Sequence, residues 1–294
     1  MKLFSINHSY FKLDGGAMYG VVPKSLWNKL NPADENNLCN WALRSLLIQD
    51  EDKLILIDTG MGFKQDAKFF GHYGMSETIE LDTELQRLGF TRNDITDVFH
   101  THLHFDHCGG SIEKVNDQLV PYFPKATYWS NPIHWDWAVN PNDREKASFL
   151  KENILPIQAS GQLKMVDAPS NEFTEDGLLE KVAFTNHISV RFVNGHTKSM
   201  MLPQIQYNGK TIVYMADLLP SASHIPLPYI MGYDMFPLTT LKEKKSFLKE
   251  AADHGYILFF EHDPSAECGT VRKDDSGRIV LDKVGMLRDF SLPG

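Results

Sequence analysis

Cysteine is scarce in this chain: Cys39, Cys108 and Cys268 are the only three in 294 residues. They lie far apart and form no Cys-x-x-Cys pair, so neither a zinc ribbon nor a disulfide framework is indicated. Long apolar runs are missing as well. None approaches the roughly 20 residues that cross a bilayer, and the opening MKLFSINHSYFKLDGG lacks the apolar core of a signal peptide. There is no basic surplus; the formal net charge is −9, whereas nucleic-acid binding needs Lys and Arg for phosphate contacts. The longest basic cluster, Lys242 to Lys245, is interrupted by Glu243 and reads as the solvated face of a helix. These absences point to a reduced, cytoplasmic protein whose partner is a small molecule, with no nucleic acid and no membrane. With 42% hydrophobic and 23% charged residues, no repeat and no linker, the chain has the composition of a globular protein and the length for one large domain or two small ones.

What is present is an alternation of strands and helices. Residues 3–12, 41–49 and 54–57 read as strands, the last closed by Asp58-Thr59-Gly60. Leu81, Leu85 and Leu88 recur at helical spacing, predicting a helix over 77–88 stopped by Gly89. A short strand, 95–100, runs into THLHFDHCGG. Residues 181–193, 200–207 and 210–216 read as strands, with Asn208-Gly209 as the turn between the last two. Thr240 and Glu243 predict a capping box for a helix over 241–253, ended by Gly255, with Leu241, Leu248, Ala251 and Ala252 near one face. A strand over 256–260 and a hairpin over 270–282 complete a layered α/β pattern. Histidine-bearing segments repeatedly follow strands, where a sheet holds functional loops in place.

The sharpest feature is His102-Leu103-His104-Phe105-Asp106-His107. His102 and His104 share a face if the backbone is extended there, and Asp106 and His107 follow as the chain turns at Gly109-Gly110. Four ligand-type residues in six positions would be a costly polar cluster if packed for stability alone. A cation offsets that cost. Imidazole with carboxylate suits zinc, and also iron or manganese.

With these residues in view, the chain resembles the metallo-β-lactamase superfamily. The His-x-His-x-Asp-His motif matches residues 102–107; Gly195-His196-Thr197 matches the later single histidine; Asp217, His262 and Asp58-Thr59-Gly60 match the remaining motifs in order. The resemblance implies a single domain over residues 1–294, a four-layer αββα sandwich with a binuclear metal site. One ion would take His102, His104 and His196, and the other Asp106, His107 and His262. Asp217 would bridge them, and Asp58 would hold a ligand imidazole in the right tautomer. Two divalent ions, zinc first and manganese or iron as alternatives, would share a water acidified to hydroxide for attack on a carbonyl or phosphoryl centre. Asp106 or Asp217 would carry the proton to the leaving group.

THLHFDHCGG is similar to the motif of quorum-quenching N-acyl homoserine lactonases, and the stretch from Asp217 to Phe247 is similar to methyl parathion hydrolase and related lactonase-like enzymes. This implies a lactone or ester substrate, with a phosphotriester or thioester as alternative and an iron-dependent redox member of the same fold as another. Two departures stand out. Many relatives carry Gly-His-Thr-Pro-Gly-His where this chain has Gly195-His196-Thr197-Lys198-Ser199-Met200. Some lactonases also place a tyrosine where this chain has Pro220. Phe105, His224, Tyr229 and Tyr233 are the substrate-contact candidates. The apolar Pro220–Pro237 segment, with Tyr19, Trp27, Trp129, Trp135 and Trp137, fits a pocket wall, core packing or a homodimer interface.

Overall fold

The computed structural model describes residues 1–169 and 181–290. The chain divides into two compact units. The first holds residues 1–11 and 42–167, the second 12–41 and 168–294.

In the first unit a six-stranded sheet is ordered β1-β2-β3-β4-β7-β8. Its strands are β1 (Lys2–Asp14), β2 (Leu38–Asp50), β3 (Lys53–Ile57), β4 (Asp97–Phe99), β7 (Thr127–Ser130) and β8 (Leu163–Met165); the ends of β1 past Phe11 and of β2 before Ala42 belong to the second unit. A hairpin of β5 (Ile112–Val115) and β6 (Gln118–Pro121) stands apart. The centre, β3-β4-β7-β8, is parallel, and the apolar run Leu54–Ile57 is buried throughout, as a central parallel strand requires. Leu54, Leu56, Val98 and Tyr128 pack with Leu81, Leu85 and Ile157 into one core.

The helix expected over 77–88 is shorter, Leu81–Arg87. Ahead of it the backbone serves β1 instead: Ser76 and Tyr10 exchange N–H···O bonds, and Ile79 N donates to His8 O at 2.8 Å. Those bonds hold 76–79 extended.

The second unit carries a seven-stranded sheet ordered β15-β14-β13-β12-β11-β10-β9: β9 (Lys181–Ala183), β10 (Ile188–Val193), β11 (Met200–Tyr207), β12 (Lys210–Tyr214), β13 (Ile257–Phe259), β14 (Cys268–Lys273) and β15 (Ile279–Gly285). Residues 181–193 are therefore two antiparallel strands, because Thr185 Oγ1 accepts from His187 N and Ile188 N and turns the chain. Asn208-Gly209 makes the expected hairpin turn between β11 and β12.

The helix Pro237–His254 corrects two expectations. It begins at Pro237, which sits at the first turn where its missing N–H costs nothing, and the Thr240–Glu243 capping box does not form. The Lys242–Lys245 face is not wholly solvated, since Glu243 is 3% and Lys244 0% exposed. Lys244 Nζ instead donates to the carbonyls of Pro226 and Tyr229, each at 2.8 Å.

Tyr19, Trp27 and Trp41 are core residues of this unit. Tyr19 stacks on Trp27 at 5.1 Å and on His224 at 4.7 Å between ring centroids. Among the described residues no helix is long and apolar enough to cross a membrane.

Candidate metal centre

Each unit presents its own set of buried donors. In the first, β4 ends at Phe99 and the chain runs through His102 and His104 into a single helical turn, Phe105–Cys108. Asp58, just past β3, governs this segment. Its Oδ1 accepts from Thr101 N at 2.8 Å, and its Oδ2 accepts from Thr101 Oγ1 at 2.6 Å and from His107 Nδ1 at 3.1 Å. The Asp58-Thr59-Gly60 turn is docked directly on the histidine segment, with Thr59 N donating to His107 O and Gly110 N to Gly60 O. Gly60 has φ +64°, and a Cβ there would come within 2.0 Å of the His8 ring, so glycine is required.

These bonds set the imidazole tautomers. Thr101 Oγ1 spends its proton on Asp58, so at 3.1 Å it accepts from His102 Nδ1–H, and His102 Nε2 carries the lone pair. His104 Nε2 donates to Glu145 Oε1 at 3.0 Å, leaving the lone pair on Nδ1. His107 donates Nδ1–H to Asp58, leaving it on Nε2. Yet His102 Nε2 and His104 Nδ1 are 3.0 Å apart, and His107 Nε2 is 3.8 Å from Asp106 Oδ2. Acceptors facing acceptors at such distances repel unless a positive charge lies among them.

The second unit repeats the pattern. His196 follows β10, Asp217 follows β12 and His262 follows β13, all less than 8% exposed. Asp217 Oδ2 lies 3.1 Å from His196 Nε2, and its Oδ1 lies 3.3 Å from His262 Nε2. One carboxylate thus offers one oxygen to each of two imidazoles. The other nitrogen of His196, Nδ1, donates to Asp234 Oδ1 at 2.9 Å. Burial opposes charge on His196, but Asp217 and then Asp234 outweigh it and push its pKa up to about 10. The pocket of carboxylates demands a cation, whether proton or metal. Imidazole and carboxylate without thiolate is a donor chemistry suited to zinc and its neighbours, so the residues present fit a metal.

The family model described as the Metallo-beta-lactamase superfamily matches residues 44–262. The chain belongs to this superfamily. Among curated members, the N-acyl homoserine lactonase AiiA of Bacillus thuringiensis subsp. kurstaki is 28% identical over 142 residues, 45% of this chain and 50% of that protein. The N-acyl homoserine lactonase of Bacillus cereus is 28% identical over 162 residues, 52% and 57%. The chain spans about half the length of the curated relatives it matches. Among solved structures of the superfamily fold, a probable metal-dependent hydrolase from Staphylococcus aureus is 26% identical with TM-score 0.84, covering 97% of this chain and 96% of that one. AidC, a dizinc quorum-quenching lactonase solved with a product, is 25% identical with TM-score 0.76, covering 95% and 93%. The α/β class and the metallo-β-lactamase fold read from the sequence are those of the chain.

The substrate-contact candidates lie in different settings. Phe105 is buried against Tyr73 and Phe69. His224 is corrected: its Nε2 donates to Met18 O at 2.9 Å and its Nδ1 accepts from Ser221 Oγ at 2.8 Å, so both nitrogens are used inside the fold. Burial keeps it neutral, with its pKa pushed down to about 3. Tyr229 is half-buried with its ring edge-on to Tyr19, and Tyr233 is 39% exposed. Ser221, Ile225 and Leu227 wall a cavity of about 1060 Å³ inside the second unit, together with Leu248, Leu281 and Val284. No metal-donor residue lines it.

Three residues of these donor networks escaped the sequence reading. Glu145 accepts from His104 and from Trp137 Nε1 at 2.7 Å, but nothing marks it within the polar run 140–146. Thr101 is ordinary in composition. Asp234 had a usable signal: it is the lone carboxylate in an apolar segment of 220–237.

Proposed function

We propose that the chain is a binuclear metal-dependent hydrolase acting on a lactone or ester carbonyl, with N-acyl homoserine lactones as the favoured substrates. The donors in this reading are His102, His104, Asp106 and His107 of the first unit and His196, Asp217 and His262 of the second. The observation that carries the reading is the preset tautomers: the hydrogen bonds of Asp58, Thr101 and Glu145 turn the lone pairs of His102, His104 and His107 toward other acceptors.

When bound, two divalent cations, zinc favoured, supply Lewis acidity to the scissile carbonyl and acidify a water. The protein's share is orientation and proton handling. Asp58 and Glu145 keep ligand imidazoles fixed, which raises their basicity. Asp217 offers an oxygen to each side. In this reading Asp106 or Asp217 would take a proton from water and return it to the leaving oxygen.

The lactone preference is supported by the similarity to the lactonases AiiA and AidC. It must do without the tyrosine that Pro220 replaces, and His224 does not substitute for it. A purified protein assayed for metal content and against acyl homoserine lactones, aryl esters, glutathione thioesters and paraoxon-like triesters tests the proposal. Two metal equivalents and highest kcat/KM on lactones are expected. Preference for a thioester or triester would replace the substrate assignment, and absence of both metal and turnover would overturn the reading.

A further inference from the structure

We propose that Asp234 is a positioning residue for His196, and that Glu243 and Lys244 of the Pro237–His254 helix hold both members of that pair in place before any cation binds. The inference rests on His196 being a metal ligand.

The contacts all lie within the second unit. Asp234 is 2% exposed, and its Oδ1 accepts the Nδ1–H of His196 at 2.9 Å. The two following residues extend the contact through the backbone: Met235 N donates to His196 O at 3.0 Å, and Phe236 N donates to Gly195 O at 2.8 Å. Residues 234–236 therefore run along 195–196 as a short strap, with the side chain of Asp234 reaching the imidazole.

The helix fixes both partners. On one side, Glu243 accepts from Asn194 N at 2.7 Å and Gly195 N at 3.0 Å, so one carboxylate holds the two peptide N–H groups that immediately precede His196. The approach is close, since a Cβ on Gly195 would stand 2.2 Å from Thr240 Oγ1. On the other side, the ammonium of Lys244 is spent on the carbonyls of Pro226 and Tyr229, which anchors the segment that carries Asp234. Tyr19 bonds Ser223, and Ala17 O receives Gly232 N, tying the same segment at two more points.

Two consecutive charged residues on an amphipathic helix would ordinarily face water. Here both are buried and each makes paired hydrogen bonds to a loop's backbone. A buried carboxylate on the outer nitrogen of a ligand imidazole fixes its tautomer and raises its basicity toward a cation. Asp234 also belongs to the chain segment that follows Asp217, so one stretch of backbone joins the bridging carboxylate to the support of a second ligand.

Asp234→Ala and the isosteric Asp234→Asn test the proposal, with two readouts. In metal-free, 15N-histidine-labelled protein, NMR reads the Nδ1–H of His196; the proton is expected to be slow to exchange in the wild type and in Asp234→Asn, and lost in Asp234→Ala. Zinc affinity is read by competition with a chromophoric chelator. Asp234→Ala is expected to weaken one of two zinc equivalents by about 10–100-fold. Asp234→Asn, which keeps the acceptor and loses the charge, should weaken it by less, and Lys244→Met by a few-fold. Unchanged zinc affinity in Asp234→Ala with a wild type that binds two equivalents would overturn the inference. A wild type that binds no zinc would instead overturn the metal reading, while the NMR comparison would still decide whether Asp234 holds His196. Should Asp234→Ala fail to fold, Asp234→Asn and Lys244→Met decide: wild-type zinc affinity in both would equally overturn it.

Discussion

Asp58 Oδ2 accepts two hydrogen bonds at once, from His107 Nδ1 at 3.1 Å and from Thr101 Oγ1 at 2.6 Å. The second of these bonds makes the threonine oxygen an acceptor for His102, so one carboxylate settles the tautomers of two imidazoles. Asp58→Ala should weaken metal binding by about 10–100-fold, with Thr101→Val reproducing the part transmitted through His102. Metal content after dialysis against a graded chelator measures both. Wild-type retention in Asp58→Ala would contradict the role.

Asp217 addresses His196 with one oxygen and His262 with the other. Asp217→Ala should lose both metal equivalents and reduce turnover by about 100-fold or more. Loss of only one equivalent, seen by elemental analysis, would show that the carboxylate serves a single ion.

Gly60→Ala should destabilise the protein by about 2–4 kcal/mol, combining the left-handed backbone with overpacking against the His8 ring. Gly71→Ala is the control. It lies in the helix Ala67–Tyr73 with no atom within 4 Å of the added carbon, and should stabilise by about 0.5–1 kcal/mol. Urea unfolding midpoints report both.

Glu250 meets the buried Arg191 guanidinium through a two-point fork of 2.7 and 2.6 Å. The hydrogen bonds of Arg191 pull its pKa from 4.5 down to about 2. The folded value is depressed, so the stabilisation is full above about pH 4.5 and is lost as pH falls through 2. Glu250→Gln should cost up to about 3 kcal/mol near neutrality, at or below the range for fully buried pairs, because Glu250 is 18% exposed. The gap between variant and wild type should close on acidification. A gap of constant size in denaturant titrations from pH 6 to pH 2.5 would exclude the ion pair as its source.

The parts legible in the sequence are those whose chemistry is compressed into a short stretch. The 102–107 cluster needs no partner to be noticed, and the apolar run Leu54–Ile57 and the Asn208-Gly209 turn are local statements about backbone geometry. The illegible parts depend on residues distant in sequence. Glu243 looks like a capping-box residue until its carboxylate is found on the peptide N–H groups of Asn194 and Gly195. Lys244 looks solvated because helical periodicity does not say which turn of loop will cover it. His224 looks available for substrate because the sequence does not show that Met18 O accepts its proton. Each error has one physical origin: a polar side chain satisfied by the backbone of a remote segment leaves no periodic trace.

The chain passes between its two units at residues 11–12, 41–42 and 167–168, and the first two passages fall inside β1 and β2. Neither half can therefore be excised as a contiguous fragment by a single cut. Anyone building chimaeras from this scaffold must carry residues 12–41 together with 168–294, and both amino-terminal junctions then fall within strands that the recipient has to complete.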